Sequence, residues 1–447
     1  MLDQAEGILA AAMAAGADAA EVYLSRSRRS EVRVRDAGIE RSVRSDGSGC
    51  GLRVDRGFRQ GFASTTDLTR EGLRLLLDSA LAVAGVAPED PDGLIPEAGG
   101  EAPAAEVAGL HDPALEDLSF ETALDLARRT EQGALAADGS VRPGEGSSFS
   151  WGGGSVAVVN SRGVRRHHAA THGAIVCAPV AGRSGEMQRE HWFESRCSLE
   201  ALPEPEEVGR EAGRRAAMML GARPIPSGRV NVVFDPMEGS RFWSSLTSAM
   251  LGDAARRKVS FLADALGSAV ASTAVTLADE PTIPGRPGGA PFDGEGVPTS
   301  RTELIERGVL TRFMYDTRSA RRAATTSTGH AVRGYSSPPC PGAHAPLLLP
   351  GALPPEAILK QAGRGLYVTR LIGFGTNLVT GDYSRGASGW WFEDGAFAHP
   401  VQEVTLSGNL LDLLKNIGLV GSDMDHASGL AAPTFLVEGL VASGGAR

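Results

Sequence analysis

The stretch from residue 363 to residue 418 decides how the chain is interpreted, and it reads GRGLYVTRLIGFGTNLVTGDYSRGASGWWFEDGAFAHPVQEVTLSGNLLDLLKNIG. Residues 366–372 are apolar and contain several β-branched side chains, which predicts a strand that ends at the glycines around Phe374. Residues 376–380 and 388–392 predict a second and a third strand. The first half of this stretch is therefore expected to fold as neighbouring β-strands.

A hairpin and a helix are expected to follow. Asp394 and Gly395 separate two apolar runs, which is a strong short-range signal for a tight hairpin turn. Residues 401–406 predict the returning strand. Ser407 is suited to cap a helix with apolar positions on one side, and Gly418 predicts the end of that helix. The strands are thus expected to lead directly into a short helix.

A small polar segment, residues 380–386, separates the second predicted strand from the third. Glycines at both ends let the backbone approach a ligand closely or adopt a positive φ angle. A tight structural loop between two strands would need the same residues, so both interpretations stay open. The candidate substrate-binding residues in this segment are Thr380, Gly381, Asp382, Ser384 and Arg385.

The run VTGDYSRGASGWWFEDG, followed by a strand and by SGNLLDLLKNI, resembles the C-terminal region of the TldD/PmbA family, the so-called modulators of DNA gyrase. The resemblance is closer to the PmbA (TldE) branch. It extends over nearly the whole chain through further motifs in the same order: RKVSFLADALG at 257–267, RTELIERGVLTRFMYDTRSAR at 301–321 and STGHA at 327–331. Several separate motifs in one order make the resemblance specific.

Length and charge limit the classes of function. A chain of 447 residues predicts two to three domains that each bury a core. Its formal net charge is −10. Affinity for nucleic acid depends on a basic surface that neutralises phosphates, so this charge argues against nucleic acid as a partner. The gyrase name of the family therefore receives no support from electrostatics.

The chain shows no sign of membrane insertion or export. No apolar run is long enough to span a bilayer. The first residues, MLDQAEGILAAAMAAG, carry acidic side chains where a signal peptide would be positively charged, and they predict an amphipathic helix. The cysteines form no CxxC pair and are expected to be reduced thiols; they are Cys50, Cys177, Cys197 and Cys340. These features predict a cytoplasmic protein.

The order of predicted elements indicates an α+β fold in two parts. Residues 1–221 predict helices packed on a mostly antiparallel sheet, with one of its turns at 45–49. An acidic connection rich in Pro and Gly, residues 85–117, interrupts this part. Residues 222–228 are the best candidate domain boundary. Residues 229–447 predict a β-rich C-terminal domain, as the family resemblance also implies.

The resemblance implies a family of zinc peptidases, but this chain lacks the expected ligands. The catalytic branch carries HExxxH on a helix and a cysteine near the C-terminus, and its zinc activates water. With residues 257–258 as the shared anchor, Ser244 and Ser245 stand at the first His and the Glu, and Ala249 at the second His. Residues 425–432 contain no cysteine. No metal or other cofactor is therefore expected in this chain.

Two other clusters of metal-binding residue types occur. The first consists of His167, His168, His172, Cys177, His191 and Cys197. This region predicts a strand, in which residues four apart are separated by roughly 13 Å, whereas ligand atoms lie about 2 Å from zinc. The second consists of loop residues that are able to converge, His330, Cys340 and His344. Structural roles are the preferred interpretation of both clusters, with a metal site as the alternative.

Other catalytic motifs are missing from the sequence: it has no GxSxG, SxxK, GxGxxG or GxxxxGK[ST] pattern. Asp382 and Arg385 are suited either to an ion pair that holds the polar segment or to a catalytic pair. Trp390 and Trp391 are expected on opposite faces of a strand, and the outward ring is a candidate contact with a partner.

By resemblance, the chain is the non-catalytic subunit of a heterodimeric TldD/TldE-type zinc metallopeptidase that trims unstructured or leader peptides. A TldD-type subunit would supply the zinc, while this chain would hold an extended peptide along an exposed sheet edge. Two alternatives stay open. One is an enzyme without the usual zinc, whose polar site would combine residues 382–385 with the loop at Phe292 and Asp293. The other is a homodimeric peptide-binding protein.

Overall fold

The computed structural model describes residues 1–97, 106–424 and 430–445 of the 447-residue chain. In this part of the chain, no helix has the length and apolar character needed to cross a membrane. Helices combine with extensive antiparallel sheets, and the C-terminal part is rich in strands. The α+β fold predicted from the sequence is therefore confirmed.

The elements before residue 222 are α1 (Leu2–Ala14), β1 (Ala19–Arg35), β2 (Gly38–Arg56), β3 (Arg59–Thr65), α2 (Arg70–Val86), α3 (Pro113–Glu116), α4 (Phe120–Ala137), β4 (Val141–Arg142), β5 (Ser147–Asn160), β6 (Arg165–Cys177), β7 (Val180–Arg183), β8 (Glu186–Arg189), β9 (Trp192–Arg196) and α5 (Pro205–Met218). The later elements are β10 (Gly228–Phe234), α6 (Pro236–Thr247), α7 (Gly252–Arg256), β11 (Leu277–Asp279), β12 (Thr302–Glu306), β13 (Val309–Leu310), α8 (Thr317–Arg322), β14 (Ala331–Val332), β15 (Cys340–Pro341), β16 (Pro346–Leu348), α9 (Pro355–Ala362), β17 (Arg364–Ile372), β18 (Asp382–Glu393), β19 (Ala396–Asn409), α10 (Leu410–Lys415), β20 (Ile417–Val420) and β21 (Phe435–Gly444).

The first large sheet has the strand order β3-β2-β1-β5-β6-β9, and all neighbouring strands are antiparallel. A tight turn joins β1 to β2, and in it Asp36 and Ala37 have φ angles of 52° and 60°. The turn predicted at residues 45–49 is wrong, because these residues pair with residues 25–29 of β1. Pairing with a long neighbouring strand overrides the local turn preference of glycine and serine.

Two groups of helices cover one face of this sheet, towards its opposite ends. The first core lies under α1 and α2 and includes Val22 and Leu52. The second lies under α4 and includes Val32 and Phe149. Both cores use even-numbered positions of β1, as the two-residue period of a strand requires. A single long strand therefore contributes to two separate helix contacts.

The second large sheet has the order β10-β17-β18-β19-β21-β20, and β10 also pairs with β21. The strands β10, β17, β18, β19 and β21 thus close into a ring, in which Phe234 pairs with Phe435. Closure leaves fewer free strand edges than an open sheet exposes. Helix α6 packs into the same core as this ring, with Phe242 and Trp243 fully buried.

Most strands predicted between residues 363 and 418 are present. Strand β17 confirms the prediction at 366–372, and the β18–β19 connection confirms the hairpin at residues 394–395. The strand predicted at 376–380 is wrong, because these residues form a turn with one isolated bridge. The Asn377 side chain accepts the amides of residues 379 and 380 and so closes this turn.

The helix after the returning strand is shorter than predicted. Ser407 does not cap it, because β19 continues through Ser407 in register with β21. Helix α10 instead begins after Asn409, whose Oδ1 accepts the amide of Leu411 at 3.1 Å. It ends before β20, so Gly418 lies in a strand and does not end the helix.

Buried charges connect the two parts of the chain. Arg53 on β2 lies 2.9 Å from Glu21 of β1 and 3.1 Å from Glu295, and each of the three side chains is at most 3% exposed. Arg333 also donates a hydrogen bond to Glu21. Because Glu295 and Arg333 belong to the C-terminal part, this network fixes the first sheet against the loops that precede β17.

A close backbone approach adds to this contact. The Tyr335 ring lies against β2 at Gly49, where a Cβ atom would be 2.3 Å from the ring. The first large sheet lies before residue 222 and the second begins at Gly228. The domain boundary proposed at 222–228 stays a prediction. Of the acidic connection 85–117, residues 98–105 lie outside the described residues.

Candidate functional site

Helix α6 carries two of the three positions at which the resemblance places the zinc motif. It begins after Asp235, whose Oδ1 accepts the amide of Glu238 at 2.7 Å, and Pro236 occupies its first position. A short acceptor side chain followed by proline is a typical helix start. The helix then ends at Thr247, before the third motif position.

The side chains at the three positions do not fit a zinc ion. Ser244 is exposed, and the Ser245 hydroxyl donates to the carbonyl of Phe242 at 2.7 Å. Ala249 lies in the 3₁₀ turn after the helix, with its side chain 0% exposed in the core. Zinc in proteins is bound by thiolates, imidazoles and carboxylates, and none of these three residues provides one. The C-terminal segment in which the expected ligand cysteine is missing is residues 425–432, and of these, residues 425–429 lie outside the described residues.

His167, His168 and His172 lie on a strand, β6, as predicted, whereas His191 lies between β8 and β9. Burial lowers the pKa of His167, His168 and His172. Burial also raises the pKa of Cys177 and of Cys197 to about 11, so both are neutral thiols at ordinary pH. The extended spacing of β6 keeps His168 and His172 apart.

The second cluster is engaged in contacts within the protein. His330 Nε2 lies 3.1 Å from Asp279 Oδ2, and His344 Nε2 lies 3.0 Å from the carbonyl oxygen of Gly329. Cys340 is exposed. Across residues 1–97, 106–424 and 430–445, no three His, Cys, Asp or Glu side chains are placed to hold a metal ion together.

The candidate substrate-binding residues lie at the start of β18 and in the turn before it. Gly381 has a φ angle of 80°, which few other residues adopt. Thr380 Oγ1 donates to Asp382 Oδ2 at 2.6 Å, and Asn409 Nδ2 donates to the carbonyl of Thr380 at 3.0 Å. The predicted polar loop is therefore a turn up to Gly381 and a strand from Asp382 onward.

The side chains at the start of β18 alternate between two faces. Asp382 and Ser384 are exposed, whereas Tyr383 is buried and Arg385 is half-buried on the opposite face. Within the described parts of the chain, no ion pair forms between Asp382 and Arg385, because their side chains leave opposite sides of the strand. The candidate residues on β18 therefore form two groups. Asp382 and Ser384 lie on the exposed face, and Arg385 lies on the opposite face.

The loop at Phe292 and Asp293 is separate from both groups. Asp293 is buried, and its carboxylate accepts backbone amides from its own loop and from the neighbouring β14. Burial raises the pKa of Asp293 to about 8, and the charge of Glu295 adds to this effect. In the described structure, no hydrogen bond or ion pair joins Asp293 to residues 380–386. The combination of these residues into one polar site, which an enzyme without the usual zinc would need, stays a prediction.

The two tryptophans lie on opposite faces of β18, as expected. Trp391 packs against the core that contains α6, and its Nε1 donates to Glu393 at 2.9 Å. Trp390 contacts the ring of Phe397, with a centroid separation of 5.6 Å. Both are half-buried, so the outward ring is partly covered by its own strand neighbours.

A second group of charged side chains surrounds the first half of α6. This α6 polar cluster consists of Glu190, His191, Arg215, Asp235, Glu238 and Arg241. Glu238 Oε1 lies 2.7 Å from Arg241 Nη1, and Glu238 Oε2 accepts the amide of Leu371 at 2.9 Å. Arg215 Nη1 lies 3.0 Å from Asp235. The cluster joins α5, α6, β17 and the residues just before β9.

Burial shifts several pKa values in this cluster. Burial raises the pKa of Glu190 to about 7, although the positive charge of Arg370 acts to lower it. Burial likewise raises the pKa of Glu238 to about 7, although the positive charge of Arg241 acts to lower it. Burial also lowers the pKa of His191 to about 4, and Arg241 adds to this effect. Such shifts are typical of functional sites and also of buried ion-pair networks.

Sequence analysis identified neither the α6 polar cluster nor Tyr383. Asp235 followed three residues later by Glu238 is a visible helix-start pattern. Nothing in the sequence indicates that residues 190–191 and the end of β17 reach the same helix. Only the folded structure brings these segments together.

Family models match most of the chain. Residues 20–84 match domain 1 of the PmbA/TldA metallopeptidases, residues 113–220 the central domain and residues 227–444 the C-terminal domain. Metalloprotease PmbA of Escherichia coli O157:H7 is 33% identical over 421 residues, which cover 94% of this chain and 91% of that protein. The metalloprotease PmbA homologue of Haemophilus influenzae is 31% identical over 439 residues, covering 96% and 93%.

Solved structures agree with these matches. A protein from Thermotoga maritima, described as a modulator of DNA gyrase, is 26% identical and superposes with a TM-score of 0.87 over 99% of both chains. TldE from Thermococcus kodakarensis has the same fold, with a TM-score of 0.88 at 21% identity over 98% of this chain and 100% of that one.

Proposed function

Because the chain belongs to the PmbA/TldD metallopeptidase family, we propose that it is the zinc-free, TldE/PmbA-like subunit of a heterodimeric metallopeptidase that trims unstructured or leader peptides. The observation that carries this proposal is the set of side chains at Ser244, Ser245 and Ala249. Two hydroxyls and one buried methyl group offer neither a usual zinc ligand nor a general base. The catalytic zinc would therefore come with another chain.

The partner in this proposal is a TldD-type subunit that holds the zinc. When bound there, zinc supplies a water molecule activated for attack on the peptide bond. The relatives that are 33% and 31% identical bear the name metalloprotease, which supports a role in proteolysis. This chain would contribute peptide binding, peptide orientation and exclusion of water.

The peptide would contact the turn before β18 and the first residues of that strand, at Thr380, Gly381, Asp382, Ser384 and Arg385. The predicted addition of a peptide strand would have to use a neighbouring strand, because both edges of β18 are already engaged at residues 382–385. Residues 382–385 pair with β19 on one side, and on the other the amide of Ser384 donates to the carbonyl of Gly375. Side chains and the exposed turn would make the contacts instead.

Zinc content tests the first part of the proposal. The full-length chain is purified, dialysed and subjected to elemental analysis beside a TldD-type partner from the same source. We expect far less than one zinc per copy of this chain and about one per copy of the partner. A tightly held zinc in this chain would overturn the proposal and direct attention to His330, Cys340 and His344.

Peptide cleavage tests the second part. We expect no trimming of an unstructured peptide by the chain alone, trimming by its complex with the partner, and loss of trimming after chelation. The partner alone is the matched control. Chelator-resistant cleavage by this chain alone would instead favour an enzyme without the usual zinc. A stable homodimer that binds peptide and ignores the partner would favour a homodimeric peptide-binding protein.

A further inference from the structure

Tyr383 and Arg385 leave β18 on the same face, which points towards the core under α6. Alternate residues of a strand share one face and lie about 7 Å apart. Leu406 of β19 pairs with Arg385 and is fully buried. The Tyr383 ring meets the ring of Phe242 nearly edge-on, with centroids 5.8 Å apart. A cationic side chain and a phenol therefore stand side by side at the margin of an apolar core.

Both side chains carry hydrogen-bond donors for which residues 1–97, 106–424 and 430–445 provide no acceptor. Tyr383 is 2% exposed, and its hydroxyl has no hydrogen-bond partner. The buried Nε of Arg385 has none either, and in the described structure no ion pair reaches its guanidinium. Buried polar groups are usually satisfied, and a partly buried cation without a counter-ion is unfavourable. In the part of the chain that the structure describes, these two donors are therefore free to bind the acceptor of a ligand.

The carboxylate that faces Arg385 from α6 is already engaged. Glu238 lies close enough for its charge to interact with Arg385. One of its oxygens pairs with Arg241, and the other accepts the amide of Leu371. Glu238 thus uses both oxygens elsewhere, and the guanidinium of Arg385 remains open.

The geometry of the two donors selects the chemistry of the ligand. A guanidinium presents a planar fork that matches the two oxygens of a carboxylate, and the phenol hydroxyl adds a further donor. A single backbone carbonyl would leave the positive charge of Arg385 without a counter-ion. We propose that Tyr383 and Arg385 bind a carboxylate of a peptide held by this chain, a site that rests on the proposed peptide-handling function.

Two peptide groups carry this chemistry: the C-terminal carboxylate and an acidic side chain. Three probe peptides distinguish them. They share one N-acetylated sequence of alanine, serine and glycine and end in a free acid, in an amide, or in an amide with one internal glutamate. Isothermal titration calorimetry measures their binding to the full-length chain and to its chelator-treated complex with the TldD-type partner.

We expect the free acid to bind about tenfold or more tightly than the neutral amide. If the internal glutamate restores this affinity to the amide, an acidic side chain is accepted as well. If it does not, the site is specific for the peptide C-terminus. Both results support a carboxylate site.

Two variants test the assignment to these residues. Tyr383→Phe and Arg385→Met are each expected to weaken binding of the free-acid peptide until its affinity approaches that of the amide peptide. The affinity for the amide peptide should not change. Because the deleted donors have no partner among the described residues, the melting temperature is expected to stay the same or to rise. The control is Tyr367→Phe, on the opposite face of the sheet beside Phe397, which should change none of the affinities.

Equal binding of the free acid and both amides would overturn this inference and leave the proposed function in place. A marked fall in the melting temperature of Tyr383→Phe would also overturn it, because the hydroxyl would then have a partner within the protein. No binding of any peptide, to the chain or to the complex, would remove peptide handling itself and the carboxylate site with it.

Discussion

Glu238 Oε2 accepts a hydrogen bond from the backbone amide of Leu371 at 2.9 Å. This bond ties the first turn of α6 to the end of β17. Burial leaves the Glu238 side chain 0% exposed and raises its pKa to about 7, although the charge of Arg241 and the hydrogen bond from Leu371 both act to lower it. The attachment of the helix to the ring of strands is therefore coupled to a proton near neutral pH.

Replacing Glu190 with glutamine is expected to stabilise the fold at pH 8. Burial raises the pKa of Glu190 to about 7 in the folded protein, above about 4.3 for an unfolded glutamate. The folded state therefore holds the proton more tightly. The stabilisation of the fold by protonated Glu190 is complete below about pH 4.3 and is lost as the pH rises through about 7. Glutamine has no proton to lose, so the stability no longer depends on pH at this position. The free energy of unfolding should rise by on the order of 2 kcal/mol at pH 8.

Urea unfolding at pH 5, 6.5 and 8 measures this effect. The control is Glu121→Gln at an exposed position of α4, which should alter stability by less than about 0.5 kcal/mol at each pH. If Glu190→Gln destabilised the protein most strongly at pH 8, the carboxylate would be ionised and paired in the native state, against this prediction.

Arg53→Met is expected to destabilise the protein by about 3–5 kcal/mol. It leaves Glu21 and Glu295 buried together without the cation between them, and breaking a buried pair from one side is strongly unfavourable. The control is Arg74→Met, which breaks exposed pairs on α2 and should change stability by no more than about 1 kcal/mol. Chemical unfolding measures both variants, and similar small losses would contradict a role for the buried network.

Gly49→Ala is expected to destabilise the contact between β2 and Tyr335. The new Cβ atom would lie 2.3 Å from the tyrosine ring, so the ring must move, at a cost of about 1–3 kcal/mol. The control is Gly7→Ala in α1, where nothing lies within 4 Å of the added Cβ atom. That change should stabilise the helix by about 0.5–1 kcal/mol. Thermal melting compares Gly49→Ala with Gly7→Ala. Equal shifts in the melting temperature of the two variants would rule out the close contact with Tyr335.

Asn409→Ala is expected to destabilise α10 and the turn before β18. Its Oδ1 caps the helix through the amide of Leu411, and its Nδ2 donates to the carbonyl of Thr380. Loss of a cap typically costs about 1 kcal/mol. Ser407→Ala is the control, because Ser407 lies within β19 and caps nothing. Hydrogen exchange at residues 380–382 and 411–413 should accelerate in the first variant only.

The features predicted correctly from the sequence depend on neighbouring residues. The first residues form the predicted helix, α1, and residues 394–395 join two strands in a tight turn. Both signals are complete within a few positions. Such local chemistry is the same in a short peptide and in the folded protein, so it can be recognised without the structure.

The features that were missed depend on distant segments. Residues 45–49 have turn chemistry, but β1 pairs with them and keeps them extended. Asp382 and Arg385 are close in sequence, but β18 directs them to opposite faces. Glu190 is an ordinary glutamate until Arg215 and Arg370 come near it in the fold. Nothing along the sequence records these approaches.

The pairing of Phe234 with Phe435 also has a consequence for biosynthesis. While the ribosome is still making the segments between them, β10 lacks one of its two neighbours, and the ring stays open. An open strand edge is a template for pairing with other chains. We therefore expect β10 of a nascent copy to need shielding until β21 emerges. A message that stops translation before residue 435 would yield an aggregation-prone fragment, a natural target for chaperones and proteases.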